Sequence, residues 1–159
     1  MGTMHTSIPL QLVRDFEVGA APAAAFALLA DVPRSASHFP DVRRLVPLGD
    51  NAFRWEMAPA GVGELSLQVV YASRYRGDPA RLHVGWDPLP GVGNAQVGGH
   101  WQLARSPRGT RVHLQLDARF DLPVPALLAK VAARLLAREL GRQVDIYIAA
   151  LGRTLGAPR

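Results

Sequence analysis

Cysteine is absent from this chain of 159 residues. No disulfide framework, thiolate zinc site or cysteine nucleophile is therefore available to it. Long hydrophobic runs are missing too. The longest, Val18 to Ala30, has 13 residues and contains Pro22, against the ~20 needed to span a bilayer. Residues 1–9 carry no basic cluster ahead of an apolar stretch, so no secretory signal is expected and the expected location is cytoplasmic. Aromatics are sparse at 7%, and none interleaves the basic residues as a base-stacking surface would, so nucleic-acid recognition ranks low. Lysine occurs once, at Lys130, against 17 arginines, a ratio that reads first as codon bias. The remaining composition, 48% hydrophobic and 19% charged with 15 Gly and 13 Pro, is that of an ordinary globular chain. Its length suits one domain, burying roughly 70% of its unfolded surface, enough for a core and an internal pocket.

The net charge of +5 is unevenly placed. Residues 122–159 carry +4 and residues 1–121 only +1. The basicity belongs to the C-terminal segment, while the body is nearly neutral.

Pro9 to Val18 alternates, with Leu10, Leu12, Arg14, Phe16 and Val18 on one face, which predicts a half-buried strand. Pro22 suits a first helical turn, and Ala23–Ala30 continues it as a helix. Asp31–Val32–Pro33 stops that helix, Arg34–Phe39 reads as a second short one closed by Pro40, and Val42–Leu48 reads as a short strand. From Ala52 onward the chain reads as hairpins. Four turns predict the pairs Trp55 with Leu67, Tyr71 with Trp86, Val84 with Val97, and Trp101 with Leu114. All four put one large apolar set on the same face: Phe53, Trp55, Met57, Leu65, Leu67, Val69, Leu82, Val84, Trp86, Val97, Trp101, Leu103, Val112, Leu114 and Leu116. A one-residue slip in any hairpin would invert its strand, so the agreement predicts an antiparallel sheet, apolar on one side and wet on the other.

The apolar face needs a cover. Pro125 can open a helix, and Ala126–Leu155 reads as one helix with Leu128, Val131, Leu135, Leu140, Val144, Ile148, Leu151 and Leu155 toward the sheet. The order of elements predicts an α+β fold with a curved antiparallel sheet of about seven strands against a long C-terminal helix.

These residues resemble the helix-grip superfamily (START-like, SRPBCC), closest in pattern to the coenzyme Q-binding START-domain and polyketide cyclase/dehydrase families. The resemblance covers about Leu10 to Leu155. It is carried by Val18-x-x-x-Pro22-x-x-x-Phe26-x-x-Leu29-Ala30-Asp31, by Phe39-Pro40-x-Val42, by Gly99-x-Trp101-x-Leu103, by Gly109-Thr110-Arg111-Val112 and by the terminal helix. It implies a single ligand-binding domain over residues 8–156, behind a flexible tail of residues 1–7. It also implies a cavity between sheet and helix for an apolar small molecule.

Candidate ligand-binding residues are Arg14, Trp55, Tyr71, Ser73, Tyr75, Trp86 and Trp101, with Leu128, Val131 and Leu135 from the first half of the helix. Aromatics with a few hydrogen-bonding groups are the usual make-up of such a site. Arg14 shares a face with Leu12 and Phe16, so it must pair, reach the rim or meet a ligand. His83, His100 and His113 fall on the wet face of adjacent strands and read as a solvated row, with no metal site expected. Gly91-x-Gly93 and Gly98-Gly99 lie between strands, away from any helix N-terminus, and are not a dinucleotide fingerprint. No serine has a nucleophile-elbow context. Lys130, Arg134, Arg138 and Arg142 recur every four residues and form a candidate docking stripe for an anionic surface.

Three functions follow as expectations. The first is binding or carrying a lipophilic molecule (a quinone, a lipid or an aromatic polyketide) without a cofactor. The second is a cyclase or dehydratase using Tyr71, Tyr75, Arg14 or His38 as acid–base groups. The third is a ribosome- or protein-interacting regulator, implied only by the resemblance. Non-catalytic binding ranks ahead of catalysis.

Overall fold

Alternation, proline punctuation and one long helical repeat set the order of elements. The computed structural model describes residues 5–62 and 65–159. They run β1 (Thr6–Val18), α1 (Pro22–Ala30), α2 (Val32–Ala36), β2 (Val42–Gly49), β3 (Ala52–Met57), β4 (Ala60–Val62), β5 (Leu65–Leu67), β6 (Val70–Asp78), β7 (His83–Pro88), β8 (Ala95–Ser106), β9 (Gly109–Leu122), a 3-10 turn at Ala126–Leu128 and α3 (Ala129–Leu155). Seven strands form one antiparallel sheet in the order β1-β9-β8-β7-β6-β3-β2, and β4 and β5 form a separate ribbon. The helices α1 and α2 carry the chain from one edge strand, β1, to the other, β2.

Both short helices carry proline in their first turn, Pro22 in α1 and Pro33 in α2. Asp31 caps α2 by accepting a hydrogen bond from the Arg34 backbone at 3.2 Å, satisfying one of the orphan donors of a helix start. The second helix thus begins two residues earlier than Arg34 and ends before Phe39. At the N-terminus, Thr6 and Ser7 already pair with Leu122 and Asp121, so they belong to the strand and not to a tail. Residues 1–4 of the expected tail lie outside the described residues.

The β8–β9 register is as expected, with Trp101 opposite Leu114. The other three hairpins differ from expectation, each by four residues. Trp55 lies opposite Tyr71 because β4 and β5 intervene as a ribbon of their own, so β3 pairs with β6. Tyr75, not Tyr71, faces Trp86. Val84 faces Trp101, not Val97, and His83 faces Gln102 in place of Gly98. Side-chain direction has a period of two, so a slip of four leaves every residue on its expected face. Trp55, Trp86 and Trp101 accordingly point inward, buried with Val84, Leu103, Val112 and Leu114. Gly99 permits close packing on this face: a Cβ there would sit 2.2 Å from the Gln115 carbonyl oxygen and 2.9 Å from the Trp86 ring.

The second half of the long helix presents the expected face, with Val144 and Leu151 buried and Leu140, Ile148 and Leu155 packed on the core, while the first half differs. The buried residues of the helix are Ala132, Leu136, Gly141, Val144, Tyr147 and Leu151. Leu128 and Val131 are exposed, and Leu135 is half-buried against the cluster around Phe120 and Leu122. One residue is about 100° of turn at 3.6 residues per turn. A stripe traced through the bulky aliphatics alone therefore misses Ala132, Gly141 and Tyr147, which share the buried face. The far end of α3 is fastened by main-chain bonds. Gly19 donates to the Gly156 carbonyl and Ala20 to that of Leu155, both at 2.9 Å, and Arg159 donates to Arg108 at 3.0 Å.

Candidate functional site

A cavity of about 130 Å³ lies between the inner face of the sheet and the middle of α3. That is close to the ~150 Å³ of a dry apolar cavity able to admit one benzene ring. The strands β7, β8 and β9 supply Trp86, Trp101 and Leu114, and β3 and β6 supply Trp55, Tyr71 and Tyr75. From α3 come Leu136, Leu140 and Tyr147, and Ser35 and Phe39 close the end nearest α2.

The aromatic side chains form a closed belt. Phe39 packs on Trp55 with centroids 6.2 Å apart and on Tyr147 at 5.1 Å. Tyr147 meets Trp101 at 5.9 Å, Trp101 meets Trp86 at 6.3 Å, and Trp86 meets Tyr75 at 5.6 Å. The Trp55 indole N–H donates to the Tyr75 hydroxyl at 3.0 Å and completes the circuit. Tyr71 stacks on Trp55 at 5.8 Å from the side. Edge and tilted contacts of this kind are favourable for ring quadrupoles and hold each ring by two neighbours.

Hydroxyls are the polar atoms of the belt besides the indole N–H groups. Ser35 and Tyr147 share a short hydrogen bond. Two hydroxyls bonded to each other use one of their two protons, so the pair keeps one to donate. Tyr75 accepts from Trp55, and its own proton is likewise available. The Tyr71 hydroxyl bonds to no protein group among the described residues. The accessible surface of Tyr71 and Tyr75 faces the cavity, away from bulk water. Burial pushes the Tyr147 phenol up to about 12, against the opposing hydrogen bond from Ser35. Burial first, and the neighbouring tyrosines second, push Tyr71 and Tyr75 up as well. All three phenols are thus neutral donors at ordinary pH.

At the cavity edge, Glu139 is gripped by Arg142 through bonds of 2.6 and 3.1 Å, with Gln143 donating at 3.3 Å. The Arg142 hydrogen bond holds the Glu139 carboxyl below its ordinary value, despite partial burial. Among the described lining residues, then, no group titrates near neutral pH. The wall can donate hydrogen bonds and exclude water. It offers no poised general base.

Five expected site residues line the cavity together: Trp55, Tyr71, Tyr75, Trp86 and Trp101. The others lie elsewhere. Ser73 is buried in the sheet and donates to the Val97 carbonyl at 2.7 Å. Arg14 reaches the rim, where it meets Asp145 of α3 at 2.8 Å and donates to the Val13 carbonyl at 3.0 Å. The expectation for Leu128 and Val131 is overturned by their exposure, and Leu135 packs beside the cavity without lining it. His38 ties α2 to the end of α3 through Thr154 at 2.8 Å and through the Arg34 carbonyl at 2.9 Å, so it is not an acid–base group of the cavity. In the expected docking stripe, Arg142 is engaged by Glu139 and Asp41, while Lys130, Arg134 and Arg138 are exposed.

Ser35, Phe39, Leu136, Leu140 and Tyr147 join the site without having been expected there. A signal exists for Tyr147. It is the one tyrosine of the terminal helix and lies three residues after Val144 and four before Leu151, on their face.

Residues 9–151 match the model of a family described as polyketide cyclase / dehydrase and lipid transport. The chain belongs to this family. No curated protein sequence matches it. Among solved structures, a START superfamily protein from Mycobacterium smegmatis is similar with a TM-score of 0.66 and 14% identity, over 91% of this chain and 96% of that one. The Zhui aromatase/cyclase from Streptomyces sp. R1128 is similar with a TM-score of 0.62 and 17% identity, over 94% of each chain. The protein TTHA0849 from Thermus thermophilus gives 0.60 and 16%, over 95% of this chain and 100% of that one. At these identities the likeness is one of fold: the START-like helix grip, a curved sheet closed on a long C-terminal helix. Family membership fits a ligand-binding or cyclase-type role. No helix among the described residues is long and apolar enough to cross a membrane.

Proposed function

We propose that this protein binds and carries a small lipophilic molecule in the aromatic cavity. The observation that carries the reading is the closed belt of rings around empty apolar space, with phenolic protons directed at no protein acceptor. Such a wall favours a ligand with a ring-sized apolar body and an acceptor oxygen, as in a quinone or an aromatic polyketide. Burial contributes ~25 cal/mol per Å² of apolar surface, enough for micromolar binding without a catalytic group. The cavity volume limits the inserted part to about one ring, and a longer body would extend past Glu139 and Gln143.

The test is mass spectrometry of the natively purified protein, followed by titration with the extracted compound using tryptophan fluorescence. A lipophilic compound should co-purify, and Trp86→Leu or Trp101→Leu should weaken its binding tenfold or more. Recovery of no small molecule, together with no quenching by any hydrophobic ring compound, would overturn the carrier reading.

One observation favours a second reading, a cyclase or dehydratase. Hydroxyl donors on one wall would polarise a ligand carbonyl and stabilise charge developing on its oxygen. Ring closure of a polyketide-like substrate by the wild type, slowed by Tyr71→Phe with binding retained, would establish it.

A further inference from the structure

The chain between the last strand and the first turns of α3 is exposed in an unusual way. Leu127 is 91% exposed, Val131 57% and Leu128 48%. They sit together on the 3-10 turn and the opening turn of the helix, next to Pro123 and Pro125. Large aliphatics in a cluster at a protruding corner are costly in water and call for a partner. Along the segment between Asp121 and Glu139 the charge is of one sign. From Leu122 to Arg138 the chain has three basic residues, Lys130, Arg134 and Arg138, and no acidic one. The helix start has no side-chain cap and no acidic residue in its first turn, so its positive dipole end adds to the field.

We propose that this corner docks onto an anionic lipid surface, with Leu127, Leu128 and Val131 dipping into the interface and Lys130, Arg134 and Arg138 meeting the headgroups. Apolar side chains ringed by basic ones are complementary to such a surface in both respects. A second copy of the chain is the poorer occupant: a two-fold contact would lay each basic cluster against its own image. The sequence alone predicts a purely electrostatic stripe, with every apolar side chain of the helix used by the sheet. The structure leaves Leu127, Leu128 and Val131 outside. It also places them beside the site, since Val131 precedes Leu136, the first α3 residue lining the cavity, by five positions, about 7.5 Å of helix. A ligand leaving the cavity would have a short path to the lipid.

The experiment is co-sedimentation of the full chain with phosphatidylcholine vesicles and with vesicles in which a third of the lipid is phosphatidylglycerol. The expected result is binding to the anionic vesicles alone, weakened by high salt. Neutralising Lys130→Gln and Arg134→Gln should each weaken binding about fivefold. The double variant Leu127→Ser, Leu128→Ser should weaken it tenfold or more with all charges intact. These positions are exposed, so the variants should keep the wild-type melting temperature and cavity ligand, which separates this proposal from the carrier reading. Absence of binding to anionic vesicles, equal binding to both vesicle types, or unchanged binding by the serine variant would overturn it. So would dimerisation without lipid that the serine variant abolishes.

Discussion

Ser73 and Tyr71 are two residues apart on the same strand, and both carry hydroxyls on the inner face. Their surroundings give them opposite roles. Ser73 is fully buried and bonded to the Val97 carbonyl. Alanine there would leave that carbonyl unpaired at a place water does not reach, at a cost of about 1–3 kcal/mol. Tyr71 borders the cavity and has no protein partner among the described residues, so phenylalanine keeps its stacking on Trp55 and removes no internal bond. Urea unfolding should show Ser73→Ala destabilised and Tyr71→Phe within about 0.5 kcal/mol of wild type. Binding of a carbonyl-bearing ligand should show the reverse order, and a Tyr71→Phe protein with undiminished affinity would exclude a hydrogen bond from the phenol to the bound ligand.

The elements show where reading the sequence succeeds. Period-two alternation specifies a strand's face and says little about its partner. Three hairpins out of register by four residues therefore still yield the right inner face, and with it Trp55, Trp86 and Trp101. Loop length, which sets register, depends on contacts absent from the local pattern, such as the β4–β5 ribbon that separates Met57 from Val70. The long helix reverses the case. Its existence is plain from the spacing, and so is the face of its second half, but the face of its first half is not, because Ala132 and Leu136 are buried there in place of Leu128 and Val131. Part of the site is hidden by that difference: Leu136, Leu140 and Tyr147 line the cavity, and Leu128, Val131 and Leu135 do not. Gly141 offers a direct check. A Cβ there would meet only the Arg14 guanidinium, at 3.4 Å, the far end of a flexible side chain. Gly141→Ala should then gain helix propensity of up to ~1 kcal/mol, read as a higher melting temperature. A lower one would mean that the helix sits tighter on β1 than this contact suggests.

Across the whole molecule, the two sides of the sheet differ in chemistry. The inner side is dry and holds neutral phenols. The outer side carries a row of imidazoles over three strands, with ring centroids of His83 and His100 at 5.3 Å and of His100 and His113 at 5.8 Å. His113 reaches Asp15 on β1 at 2.8 Å. Partial burial, then the neighbouring His83 and His113, lower the His100 pKa from its ordinary 6.5, with Asp117 opposing. As pH falls below 6.5 the unfolded chain takes up this proton before the folded one does, so the fold loses stability through that window. Urea midpoints measured on both sides of the window should fall less for His100→Gln than for wild type, and identical falls would exclude His100 as the cause. On the inner side, the fastening of α3 to Gly19, Ala20 and Arg108 has a mechanical consequence. A rod clamped at one end is a cantilever, and any widening beneath it is a rotation about the clamp. Over the ~40 Å of this helix, a tilt of about 5° would move its first turn by about 3.5 Å, against the packing of Ala132 and Leu136, while the clamped end stays in place. Displacement grows with distance from the clamp, so the corner at Leu127 and Leu128 has the longest lever arm on the cavity, and a modest pull there is the least-force way to open it.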